Sequence, residues 1–356
     1  MTETADQWRH AVLHDSASLE EVIENLNSSG LRVVLCVDKD GSFLGTATDG
    51  DVRRGLLRGL SMQAKIMEII QLDPLIVRED TDRKTVLSLM TSKKILQIPI
   101  INSEGHVVGL HLWDALGLVP EHDHAMVIMA GGKGVRLKPF TENCPKPMLH
   151  VGGKPMLQHI IERAKTQGFK KFVISVNYLG QMIQDYFKNG SDFGVDIIYT
   201  QEDQPLGTAG ALSLIEKHIN SDFIVTNGDV LADIDYFDLI KFRQKHDASG
   251  AMAVRLFEWT NPYGVVRLEG VNITGFTEKP VFRSHINAGI YAFSPPALVH
   301  ISRHEHCDMP TLFERIREAG LRTVAYPLHE PWLDVGRPDD LERANATFTD
   351  KPEYSN

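Results

Sequence analysis

Three cysteines in 356 residues, Cys36, Cys144 and Cys307, are odd in number and widely spaced. They exclude a disulfide framework and read as free thiols in a reducing compartment. No apolar run reaches the ~18 residues of a membrane-spanning helix, and the opening MTETADQWRHAV has neither a basic nor an apolar leader segment, so a cytoplasmic location is expected. Basic charge is in the minority, 37 Lys+Arg against 47 Asp+Glu for a formal net charge of −10. That balance argues against nucleic acid or an anionic membrane as partner and leaves small molecules. Two familiar phosphate-loop signatures are missing as well. There is no G-x-x-x-x-G-K-[ST], and after Gly132-Lys133-Gly134 the G-x-G-x-x-G pattern fails at Leu137. What is present, 42% apolar and 24% charged residues, describes an ordinary globular chain long enough for two domains.

The most informative stretch is Met129–Leu149, MAGGKGVRLKPFTENCPKPML. The apolar run from Ala125 to Ala130 reads as a buried parallel strand delivering the chain into a tight loop. Gly131, Gly132 and Gly134 would let backbone N–H groups approach an anion, Arg136 and Lys146 add positive charge, and Pro145 and Pro147 predict an extended segment around Lys146. Together they suit a triphosphate. A glycine-rich strand exit without a nucleotide is the alternative reading of the loop alone.

The whole segment resembles the signature of sugar-1-phosphate nucleotidyltransferases, A-G-G-x-G-T-R-L-x-P-L-T followed by P-K-P-[ML]-[LV] and G-x-K-P-M, the last here Gly153-Lys154-Pro155-Met156. Val135 departs from it, standing where the family carries a hydroxyl. The resemblance runs to about residue 345. Strand patterns at 171–176 and 195–200 alternate with helix patterns at 156–164 and 208–217, which predicts a doubly wound, Rossmann-like α/β domain of the GT-A-like kind over residues 125–350.

The strand Phe223–Asn227 ends at Gly228-Asp229, a position suited to a hard cation that also touches phosphate, or alternatively to a turn cap. The family's D-x-G-x-P element, matched from Asp334, implies a second carboxylate and a Mg²⁺ cofactor held by Asp229 and Asp334. The resemblance further implies that Ala130, Gly131, Gly132 and Gly134 bind the nucleotide, and that Gln201, Gly207 and Thr208 of QEDQPLGTAG read the base. Gly264, Glu278, Lys279 and Asn287 would take the sugar phosphate. Arg136 and Lys146 would be the catalytic cations, Arg136 on the β- and γ-phosphates and Lys146 on the α-phosphate. The implied reaction joins a nucleoside triphosphate to a sugar 1-phosphate with release of pyrophosphate. No general base is needed, because the attacking phosphate is already anionic at neutral pH.

Ahead of this region residues 31–45 recur at 95–109, so that Asp38, Asp40, Gly41 and Gly45 align with Asn102, Glu104, Gly105 and Gly109. Helix patterns precede both copies, and Ser18 with Glu21 forms a capping box. Residues 1–120 thereby resemble a tandem CBS pair, an α+β module. The family's G-x-[IV]-T-x-x-D motif is matched in the first copy through Thr48 and Asp51, a site for a nucleotide effector. The second copy carries Leu112 at the threonine position and Asp114 one residue early. Dimerisation without a ligand is the other reading, and a homo-oligomer is expected. His122 and His124 fall in a polar segment that reads as a solvated linker.

A CBS pair fused to such a domain resembles the guanylyltransferases of legionaminic-acid-type pathways. That favours GTP, with glucosamine, N-acetylglucosamine or mannose 1-phosphate as acceptor. CTP, UTP or dTTP stays open, as does a catalytically silent regulatory subunit, although such subunits lose the arginine, the lysine or a metal aspartate. Asp233-Ile234-Asp235 keeps a glycosyltransferase in view, and His300, His304, His306 and Cys307 form one tempting metal cluster.

Overall fold

The computed structural model describes residues 7–93, 95–113 and 122–349. The chain divides into two compact units, Met1–His122 with Arg163–Phe169, and Asp123–Glu162 with Lys170–Asn356.

In the first unit the 64-residue repeat is built twice. Strands Val12–His14, Val34–Val37 and Phe43–Ala47 form one sheet, and Val77–Arg78, Gln97–Ile101 and Val107–Leu112 form another. In each, the first pair is parallel and the second antiparallel. Both antiparallel turns close in the same way. Asp38 Oδ1 accepts from the N–H groups of Asp40 and Ser42 at 2.9 and 2.8 Å, and Asn102 Oδ1 accepts from Glu104 and His106 at 3.0 and 2.8 Å. A short side-chain oxygen that folds back on its own backbone explains why Asp or Asn recurs at that place. Leu31, Val33, Leu35 and Val37 of the first copy share a core with Ile101 and Val107 of the second. Helix Leu19–Ser29 begins at the expected box, Glu21 N–H donating to Ser18 Oγ at 3.2 Å and Ser18 N–H donating to Glu21 at 2.6 Å. Asp114 and the linker residues 119–121 lie outside the described residues.

In the second unit seven strands follow the order Asp196–Gln201, Lys171–Val176, Ala125–Met129, Phe223–Asn227, Val281–Phe293, Gly250–Thr260, Thr323–Pro327. Six run parallel, and Val281–Phe293 runs against them. The three central parallel strands are buried almost throughout, as strands covered on both faces must be. Val127, Val173, Leu212, Phe223, Phe293 and Phe313 belong to the main core. The first strand lies between the second and the fourth, so the connections diverge on either side of it. That divergence makes the carboxyl end of Ala125–Met129 the topological switch point, where open α/β sheets bind ligands.

Three local expectations are corrected. Residues 208–217 are not one helix but a single α-turn, Gly207–Gly210, followed by 3-10 turns at Ala211–Leu214 and Glu216–His218. Ala209 and Gly210 both donate their N–H to Cys307 O, at 2.8 and 2.9 Å, which ties the segment to a distant loop. Lys146 does not sit in extended chain: Pro145 is extended, but Lys146–Met148 forms a 3-10 turn. His122 and His124 are half-buried rather than solvated, with ring nitrogens 3.1 Å from Gln167 O and 2.8 Å from Asp222 O. No helix among the described residues is long and apolar enough to cross a membrane.

Candidate active site

Two adjacent strand ends build the centre. Ala130 N–H donates to Ser175 O at 2.8 Å, continuing the first strand's pairing into the glycine-rich loop. Gly228 N–H donates to Met129 O at 2.9 Å and delivers Asp229 beside that loop. Gly134 has φ +59°, and a Cβ there would lie 2.9 Å from Thr141 Cγ2 and 3.2 Å from Lys146 Cβ. The left-handed glycine therefore turns the loop and also makes room for Lys146. Gly132 has open space about it. Val135 is exposed, so the missing hydroxyl costs the fold no bond.

Lys146 is buried, its ammonium hydrogen-bonded to Asp229 and 3.9 Å from Asp334 Oδ1. The carboxylates are brought together by a two-stranded pairing in which Val230 stands opposite Asp334, and Val335 N–H donates to Asp229 O at 3.1 Å. Burial, and after it the charge of Asp229, holds the Asp334 carboxyl above the usual aspartate range, against the pull of Lys146 and Arg136. Two hard oxygen donors converging on one cation fit a divalent ion. Arg136 is exposed, yet its charge reaches Asp334. Asn227 Oδ1, next to this centre, is buried with no hydrogen-bond partner.

The segment expected to read the base is held by contacts from elsewhere in the chain. Gln201 is exposed at the end of the sheet's edge strand. Gly207 packs against Cys307 O, and Thr208 donates both its N–H and its hydroxyl to Asp308 Oδ1, at 3.0 and 3.2 Å. Met309 N–H in turn donates to Thr208 Oγ1 at 2.9 Å. Thr208 thus helps cap the Met309–Glu318 helix. Sequence reasoning missed Glu202, which reads as one more polar loop residue in QEDQ. It is buried, accepting from Ser175 Oγ and from Leu206 N–H at 3.0 Å each, and a Cβ on Gly131 would come within 2.7 Å of its Oε1. One carboxylate therefore underlies both the glycine-rich loop at Gly131 and the segment that leads through Leu206 to Gly207.

Of the residues expected to take the sugar phosphate, Gly264 lies against Glu278, where a Cβ would meet Oε2 at 2.9 Å. Glu278 and Lys279 are exposed, and Lys279 has φ +41°. Asn287 Nδ2 donates to Tyr291 OH at 2.7 Å and Asn287 Oδ1 accepts from Gly289 N–H at 2.9 Å, which places Asn287 beside a phenol that burial pushes up to about 12.

The other candidates make contacts within the fold. Asp235 caps the helix Tyr236–Lys245, accepting from Asp238 N–H at 2.9 Å, which accounts for D-I-D. His300 ends a 3-10 helix and His304 has φ +57°, so the two share no helix face. Among the described residues the ligand atoms of His300, His304, His306 and Cys307 do not converge. In the first unit Thr48 caps the helix Asp49–Leu57, donating its N–H and hydroxyl to Asp51 Oδ2 at 2.9 and 2.6 Å, while Asp51 pairs with Arg54.

The model of the nucleotidyl transferase family matches residues 125–351, taking in every part of this centre. The chain belongs to that family. The CBS domain model matches residues 9–58 and 66–110, the two halves of the first unit. The mannose-1-phosphate guanylyltransferase catalytic subunit beta of Danio rerio is 35% identical over 223 residues, 60% of this chain and 62% of that protein. A mannose-1-phosphate guanyltransferase of Yarrowia lipolytica is 36% identical over 223 residues, 60% of this chain and 61% of its own. The chain spans about three-fifths of the length of these relatives. Among solved structures, HddC from Yersinia pseudotuberculosis aligns with a TM-score of 0.50 and 27% identity, covering 63% of this chain and 99% of that one.

Proposed function

We propose that this nucleotidyl transferase joins GMP from GTP to a sugar 1-phosphate in the cytoplasm and releases pyrophosphate. The observation that carries the reading is the buried Lys146 held between Asp229 and Asp334 at the switch point, directly beneath the glycine-rich loop. The guanylyltransferase names of the relatives support GTP, and mannose 1-phosphate is the first acceptor to try, beside glucosamine and N-acetylglucosamine 1-phosphates.

Asp229 and Asp334 are the residues to hold Mg²⁺, which when bound would neutralise triphosphate charge and orient it. The remaining work falls to the chain. N–H groups of the loop from Ala130 to Gly134 cradle the phosphates, and Arg136 answers the β- and γ-phosphates. Lys146 stabilises charge gathering on the α-phosphate, while Lys279 and Glu278 orient the attacking sugar phosphate. Phosphoryl-type transfer asks mainly for such positioning and charge neutralisation. Gln201 and Gly207 read the base, with Thr208 contributing through its place in the loop rather than by a free hydroxyl. In the CBS pair the first copy, through Thr48 and Asp51, is the candidate site for a nucleotide effector.

The test measures pyrophosphate release across GTP, CTP, UTP, dTTP and ATP, each with mannose, glucosamine and N-acetylglucosamine 1-phosphates. Release with GTP above the other nucleotides is expected. No release with any pair overturns the enzymatic reading in favour of a nucleotide-binding regulatory subunit.

A further inference from the structure

The segment Gly207–Gly210 is clasped by the chain just ahead of the helix Met309–Glu318. Cys307 N–H donates to Leu206 O at 2.9 Å, and Gln204 Nε2 donates to His304 O at 3.1 Å. Within that clasp Asp308 holds the N-cap position of the helix, where an aspartate ordinarily spends its carboxylate on the first free N–H groups. Its side chain makes no cap bond. Thr208 Oγ1 accepts from Met309 N–H in its stead, and Asp308 turns to the segment, taking the Thr208 N–H and hydroxyl on Oδ1 alone. The shorter of these two bonds, at 3.0 Å, comes from the backbone N–H, which a change such as Thr208→Val leaves in place. A Cβ on Gly207 would come within 2.8 Å of the same Oδ1, so the glycine is what lets the carboxylate lie against the backbone. Among the described residues Oδ2 accepts no hydrogen bond and no cation pairs with Asp308, which is exposed. The side chain also borders the catalytic centre. Burial, and then against the Asn287 bond the charges of Asp229 and Asp308, push up the phenol of Tyr291.

We propose that Asp308 is the residue that selects guanine, its free Oδ2 accepting hydrogen bonds from the N1–H and the 2-amino group of the base. The inference rests on the proposed function, in that Gly207 takes the base. A carboxylate only accepts, so it fits an edge that offers donors. Among the common bases only guanine presents two donors side by side. Uracil and thymine place one N–H between two carbonyls. Adenine and cytosine put an unprotonated ring nitrogen at the corresponding place, and a carboxylate repels it. The nearest other acid is already engaged: Glu202 accepts from Ser175 Oγ on Oε1 and from Leu206 N–H on Oε2. Charge-assisted bonds of this kind are how a polar site rejects an analogue that lacks the donor. A sugar hydroxyl on Oδ2 would instead leave preference among nucleotides unmoved, which the test separates.

Calorimetry measures binding of GTP, ITP, ATP and UTP, with magnesium present and no acceptor, to the full chain, to Asp308→Asn and Asp308→Ala, and to the exposed control Asp203→Asn. ITP is GTP without the 2-amino group. Wild type and control should bind GTP ~10- to 100-fold more tightly than ITP, the worth of one hydrogen bond to a charged group. Asp308→Asn keeps an oxygen for Thr208 and turns an amide N–H toward the base. It should weaken GTP by ~100-fold or more, let ATP, whose N1 accepts, gain on it, and abolish the difference between GTP and ITP. Asp308→Ala removes the acceptor without adding a donor and should also abolish that difference, which decides the matter if circular dichroism finds the Asn variant unfolded. The ratio is internal to each variant, so a loosened segment that weakens all nucleotides alike does not imitate the effect. A wild type that prefers GTP, with Asp308 variants that keep the preference, overturns this inference and leaves the proposed function standing. A wild type that binds GTP no more tightly than ATP and UTP removes the guanine reading of the proposed function and this inference with it.

Discussion

Lys146 and Lys279 are both proposed to meet phosphate, yet they are built in opposite ways. Lys146 is buried, bonded to Asp229 and wedged under Gly134, on a turn between two prolines. Lys279 is exposed at φ +41°, in the short link between the strands Asn272–Thr277 and Val281–Phe293, at the outer end of the two-stranded ribbon that Val281–Phe293 forms with Gly250–Thr260. On the proposed roles, the cation for the triphosphate is thus held by buried contacts before any substrate arrives, whereas the cation for the sugar phosphate stands in solvent. Pre-organised charge costs no rearrangement at the moment of reaction, so the buried lysine should matter to the chemical step and the exposed one to substrate capture.

The sharpest way to break that contrast is to remove each cation. Lys146→Ala should lower turnover by ~100-fold or more, and steady-state rates equal to wild type would take Lys146 out of the chemistry. Lys279→Ala should raise KM for the sugar phosphate by ~10-fold, about the worth of one charged hydrogen bond, with KM for the nucleotide unchanged. Equal changes in both constants would mean that the two halves are not separable.

Smaller effects sharpen the picture of the pre-built side. Glu202→Ala strands the Ser175 hydroxyl and the Leu206 N–H and should cost ~1–3 kcal/mol of stability in denaturant melts while raising KM for the nucleotide, with Glu202→Gln recovering part of both. Thr208→Val should cost ~1 kcal/mol through the lost helix cap and leave preference among nucleotides as it was. A shifted preference would return Thr208 to the base.

The last effect is the smallest and has a sign fixed by Asp334. Its raised pKa means that the fold disfavours the ionised carboxyl, so this group's contribution is complete below the unfolded aspartate pKa and is lost as pH rises through the folded one. Metal-free Asp334→Asn should therefore melt slightly higher than wild type at pH 7 to 8, by a margin that closes toward acid. The same variant should lose the stabilisation that Mg²⁺ confers on wild type. A lower melting temperature at pH 8 would place a stabilising, not a strained, carboxylate at that position.

Much of this was legible in the chain itself. The glycine-rich loop, the alternation of strands and helices, the duplicated turn at Asp38 and Asn102, and the capping box at Ser18 are local patterns. Backbone conformation and hydrogen bonding within a few residues dictate them, and they reappear in the structure. The extended reading at Lys146 and the long helix after Thr208 failed where contacts from far along the chain won over local preference. Cys307 and Asp308 hold the segment from Gly207 to Gly210, and no propensity within that segment announces it.

Sequence order and composition determined the kind of protein, the metal-type carboxylates and the phosphate-type cations, because residue chemistry is fixed by identity. Only the tertiary structure decided which of them meet. It set Asp229 and Asp334 about one ammonium, turned Glu202 from a loop acid into a buried strut and gave Thr208 to a helix cap. Those outcomes depend on strand order and on register between distant segments, and no short stretch of sequence carries either.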